Sequence, residues 1–136
     1  MFIWYYNLKH FIMNSTISKV LRFLLGIAMI IFGANKFAGF MPKPELSEKA
    51  GILMGALADS GYIFPILGVF YIIIGLLLVV NKAVPLALIM LVPISINIVA
   101  FHLVLDPKGV LFAAIVAILN AILLFNYSDK FKTLFK

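Results

Sequence analysis

The chain has no cysteine and little charge. Among 136 residues, Lys and Arg number 11 and Asp and Glu 5, so charged residues make up 12%, against about 25% in an ordinary soluble domain. The absence of cysteine excludes disulfides, thiol exchange, thiolate metal sites and Cys-ligated iron–sulfur clusters in this chain. Histidine is also scarce. Of His10 and His102 only the second falls in an apolar run, so a bis-His haem would need a second chain. No segment holds a nucleophile–base–acid set or a carboxylate pair, so catalysis by this chain alone is not expected. No basic stripe interleaved with aromatics occurs, so the net charge of +6 points to anionic headgroups and away from nucleic acid.

What is present is apolar. Hydrophobic residues make up 65% of the chain and the mean hydropathy is +1.17. A soluble fold of this length cannot hide so much apolar surface, so the lipid bilayer is the expected partner, and residues 1–136 read as one membrane domain. Four spans are expected, at about 18–37, 62–80, 83–105 and 110–127. About 20 helical residues rising 1.5 Å each cross a hydrocarbon core of about 30 Å. In the first span Gly26 and Gly33 share a face, as do Gly68 and Gly75 in the second; such grooves let helices approach closely.

The connections carry turn chemistry. Gly39, Pro42 and Pro44 mark a loop, after which Ser47 caps a short amphipathic surface helix that runs to about Ser60, with Gly61 as its stop. Asn81-Lys82 and Asp106-Pro107-Lys108-Gly109 are tight turns. Such short links force antiparallel neighbours, which gives an all-α, up-down-up-down integral membrane bundle with the short helix between spans one and two. Pro93 lies near the centre of the third span and is expected to kink it. The aromatic residues 1–12 read either as an interfacial anchor or as a stretch preceding a native start at Met13, and 128–136 form a basic amphipathic tail.

Four spans put both termini on one side. Lys9, Lys19, Arg22, Lys82, Lys130, Lys132 and Lys136 lie at that side and Lys36, Lys43, Lys49 and Lys108 at the other. The excess of basic residues predicts that both termini are cytoplasmic and that the short helix is extracytoplasmic.

Polar groups within spans are costly and often functional. On the third span Ser95, His102 and Asp106 share a face, whereas Asn97 lies about 140° around the helix from His102. Asn35 and Lys36 end the first span, Tyr71 lies in the second, and Asn120 stands among Ala113, Ala117 and Ala121 in the fourth. One reading is a cavity open to the outer leaflet that holds a quinone or other lipid, with His102 bonding a carbonyl or hydroxyl and Asn97 or Lys36 assisting. The other is helix packing, with Asn97 and Asn120 bonding across helices and His102 bound to Asp106. Tyr71 reads as a packing ring or as a group facing a ligand.

Several stretches resemble the DoxX-like family of small bacterial membrane proteins: GANKF (Gly33 to Phe37), SGYIFPILGV (Ser60 to Val69), GLLLVVNKAVPLAL (Gly75 to Leu88) and, most specifically, PISINIVAFHLVLDPKG (Pro93 to Gly109). The resemblance implies a four-helix protein of the bacterial inner membrane. It also implies the company of thiosulfate oxidation coupled to quinone, of terminal oxidase complexes, or of thiol and oxidative-stress systems. Relatives often carry an acid about where Tyr71 stands and another about where Asn120 stands. Their loss argues against proton coupling and leaves Asn97 and His102 as the positions carried over. The expected function is thus an accessory or quinone- or lipid-binding subunit linked to a membrane redox system. A non-catalytic structural protein and an oligomeric small-molecule or lipid transporter are the alternatives, and a homo-oligomer is compatible with each.

Overall fold

The computed structural model describes residues 1–12 and 14–132, with side chains for 1–7 and 14–132. Its elements are α1 (Phe2–Ile12), α2 (Ser15–Ala38), α3 (Glu48–Asp59), α4 (Ile63–Val80), α5 (Val84–Val104), a 3-10 turn (Pro107–Gly109), α6 (Val110–Asn126) and α7 (Ser128–Phe131). Four stretches are long and apolar enough to cross a membrane: Ser15–Ala38, Ile63–Val80, Val84–Val104 and Pro107–Asn126. The fold is an all-α four-helix membrane bundle.

Each boundary has a local cause. The Asn14 side chain accepts hydrogen bonds from Thr16 N at 2.9 Å and Ile17 N at 3.4 Å, opening α2. Gly39, at φ 61°, closes it through its N–H to Asn35 O. Ser47 caps α3 by accepting from Ala50 N, and Gly61, at φ 76°, stands just past its end. The link between α4 and α5 is so tight that two non-glycine residues turn left-handed, Asn81 at φ 58° and Ala83 at φ 47°. Pro65 sits in the first turn of α4 and Pro85 in that of α5, where a missing N–H costs little. α5 continues through Pro93.

α2 and α4 form the closest pair, antiparallel, and glycine makes it possible. A Cβ placed on Gly26 would lie 2.9 Å from Gly75 O, and one on Gly33 would lie 2.9 Å from Gly68 O. The two glycine pairs seen in sequence therefore mesh with each other, backbone against backbone. α5 and α6 form the second pair, and contacts of α4 with α5 and of α2 with α6 close the square. Phe32 meets Phe112 edge-on at 5.2 Å across α2 and α6. Leu25, Met29, Ile74, Leu78, Leu88, Leu91 and Leu123 fill the centre. Large apolar side chains also point outward, among them Ile66, Leu76, Ile96, Leu111 and Ile118, as lipid-facing helices require.

The bundle has two distinct ends. One carries the Asn81–Lys82 turn, the start of α2 and the end of α6. There the Arg22 guanidinium donates to Asn81 Oδ1 at 2.8 Å and to Tyr127 OH at 3.3 Å, joining α2 to the C-terminal ends of α4 and α6. At the other end the Ser47 hydroxyl donates to Leu105 O, tethering the start of α3 to the end of α5. Ala50 is fully buried while Ile52 and Leu53 are exposed, so α3 is anchored at its first turn. The segment 1–12 forms α1, with Trp4, Tyr5 and Tyr6 all exposed; Met13 lies outside the described residues. The tail expected at 128–136 is described through Lys132, and its last four residues lie outside that range.

Candidate functional site

The polar residues singled out in the sequence occupy five separate settings. His102 and Asp106 come together at the end of α5. His102 Nδ1 lies 3.1 Å from Asp106 O and 3.3 Å from Asp106 Oδ2. A backbone carbonyl can only accept, so the ring proton belongs on Nδ1 and Nε2 is left as the acceptor of the neutral imidazole. Nε2 has no hydrogen-bond partner among the described residues. The ring lies directly on Gly109, where any Cβ would overlap it. The side chain of Asp106 is 7% exposed and that of His102 20%, so the pair is sheltered with one edge open. The 3-10 turn creates this arrangement: Gly109 N bonds Asp106 O at 3.1 Å, folding the glycine back beneath the ring.

Ser95 and Asn120 meet in the bundle interior. The Ser95 hydroxyl donates to Asn120 Oδ1 at 3.4 Å, and Asn120 Nδ2 donates to Leu88 O at 3.2 Å. Leu88 and Ser95 lie two turns apart on α5, one on either side of Pro93. The Asn120 amide therefore spans the point where proline removes a helical hydrogen bond. All polar atoms of this contact serve packing, which is the interhelical reading for Asn120.

Lys36 and Tyr71 meet on the α2–α4 seam. The Lys36 ammonium lies 4.8 Å from the Phe64 ring centroid and 5.9 Å from that of Tyr71, within cation–π range. Its stem passes Gly68, whose missing Cβ makes room for it. Asn35 does local work: its Oδ1 accepts from Met41 N at 2.8 Å and fixes the chain after α2. Asn97 is exposed, on the side of α5 turned away from the core. Among the described residues it makes no bond to another helix, where the packing reading expected one, because it stands about 200° around α5 from buried Ser95.

Three contacts had no clear sequence signal. Gly109 read as a turn residue, with nothing to indicate a ring above it. Ser47 read as a cap, and its second bond to Leu105 joins residues 58 apart. Arg22 read only as a flanking charge, yet it ties three helix ends together; a cation just inside a span beside Asn81 and Tyr127 was the available hint. Compared with family models, curated proteins and solved structures, the chain finds no match.

Proposed function

We propose that this chain is a DoxX-like accessory protein of the bacterial cytoplasmic membrane, with both termini cytoplasmic, that holds a quinone-type lipid at its outer end in the service of a membrane redox system. The observation that carries this reading is the setting of His102. Its Nδ1 is committed to Asp106, its ring is backed by Gly109, and its Nε2 has no partner among the described residues. A quinol hydroxyl suits the acceptor of a neutral imidazole, and a quinone carbonyl suits the same nitrogen once protonated. Lys36, between Phe64 and Tyr71, belongs to a separate contact and is assigned no part in this binding. The chain binds and positions; the electrons belong to its ligand and to partner subunits.

The bonds made by Ser95, Asn120 and Asn35 within the bundle favour a second reading, a structural or interaction protein. Native mass spectrometry on protein taken gently from its own membranes separates the two. The expected result is one quinone or related isoprenoid per wild-type chain, lost in His102→Ala while the melting temperature holds. Wild-type protein without any retained lipid would sink the ligand reading and leave the structural one.

A further inference from the structure

Asn97 is the candidate residue that the bundle leaves outside. It sits on the outward face of α5 with Leu86, Ile89, Pro93, Ala100 and Val104, at successive steps of three or four residues, and all six are exposed. The core face of the same helix carries Val84, Ala87, Leu88, Leu91 and Ser95. The Asn97 side chain has no hydrogen-bond partner among the described residues. Its depth makes this consequential. Seven residues separate it from Val104 and thirteen from Val84, which at 1.5 Å each is about 10 Å and about 20 Å of helix. A carboxamide on one methylene cannot reach the interface as Lys or Arg does. Its donor and acceptor therefore lie in hydrocarbon, where an acyl chain satisfies neither.

A carboxamide is self-complementary, with N–H donors and an oxygen acceptor in one group. Across a two-fold axis along the membrane normal, the same residue on another copy arrives at the same depth with the matching pair. Ala100, one turn further on, has no side chain beyond Cβ, so two α5 helices can come close enough for the amides to meet. We infer that a second copy of this chain docks along this face of α5, forming a parallel two-fold dimer closed by reciprocal Asn97–Asn97 hydrogen bonds. This interface is independent of the proposed ligand at His102, which lies about 140° away around the helix.

The absence of native cysteine makes the test clean. Ala100→Cys in native membranes, treated with a mild oxidant, should give a disulfide-linked dimer. Ile66→Cys on α4 and Ile115→Cys on α6, exposed at similar distances from the same end, should remain monomeric. Adding Asn97→Leu should lower the association constant about tenfold in liposomes, read by energy transfer between labelled copies on dilution, equivalent to about 1.4 kcal/mol. Asn97→Leu should also melt at the wild-type temperature when monomeric in detergent. Cross-linking of Ala100→Cys no stronger than that of Ile66→Cys would overturn the inference. So would an association constant unmoved by Asn97→Leu, or a loss of monomer stability that revealed an internal role for the amide.

Discussion

A single hydrogen in place of a methyl group decides whether α2 and α4 can touch. A Cβ on Gly75 would stand 2.6 Å from both Gly26 O and Ile30 Cγ1, and 2.9 Å from Ile30 N. The obstacle is largely backbone, so rotamer changes cannot clear it, and the helices must move apart along a seam that has no slack. Gly75→Ala should therefore destabilise the bundle by about 1–3 kcal/mol, the usual cost of overpacking. Gly55, on α3, has nothing within 4 Å of such a Cβ. Gly55→Ala should instead strengthen α3 by up to about 1 kcal/mol through helix propensity. Denaturant titration in micelles reads the first change and amide exchange over α3 the second. Equal responses at the two sites would mean that spacing between α2 and α4 is not what glycine provides.

At the scale of elements, α5 combines a proline in mid-helix with an unbroken helical path, and α6 supplies the support through Asn120. The amide bonds Leu88 O on one side of Pro93 and Ser95 Oγ on the other. Asn120→Leu keeps the volume and removes both bonds. At about 0.6 kcal/mol for each interhelical bond, it should cost about 1 kcal/mol in unfolding, with faster amide exchange concentrated around Pro93. A uniform change along α5 would mean that the amide is packing volume and nothing more. The spans themselves were legible because apolar length, flanking charge and glycine spacing are local signals: α4 and α5 begin and end within a residue of expectation. His102 with Asp106, four residues on, was legible for the same reason, whereas the partners of polar groups on other helices were not. Ser95 and Asn120 are 25 residues apart and Arg22 and Tyr127 are 105 apart, and only the square packing of four helices brings them together. Ser95, His102 and Asp106 read as one face, yet Ser95 bonds α6 while His102 bonds Asp106 just past the end of α5, because seven residues are about 10 Å along a helix.

For the molecule as a whole, the asymmetry between its ends makes the proposed orientation in a membrane testable. The end with the start of α2 and the end of α6 carries Lys19, Arg22, Lys82, Lys130 and Lys132 among its described residues, whereas the other carries Lys36, Lys43, Lys49 and Lys108 beside Glu45, Glu48, Asp59 and Asp106. On the orientation proposed above, basic residues are retained on the cytoplasmic side, with the Asn81–Lys82 turn inside and α3 outside. Short connections make this a property of the entire bundle, since no span can invert without inverting its neighbours. Lys43, Lys82, Lys108 and Lys130 are all exposed, and a chain without cysteine permits one reporter thiol at a time. Lys43→Cys and Lys108→Cys should react with an impermeant maleimide in intact spheroplasts. Lys82→Cys and Lys130→Cys should react only after lysis. The opposite pattern would place the His102 end in the cytoplasm and with it any ligand bound there. A mixed pattern, with both classes labelled in intact cells, would point to dual insertion. The dimer inferred at Asn97 would survive a uniform inversion, because a two-fold axis along the membrane normal is indifferent to which end faces the cytoplasm. It would fail between copies inserted in opposite senses, whose Asn97 residues, about 5 Å to one side of the middle of α5, would no longer meet at the same depth.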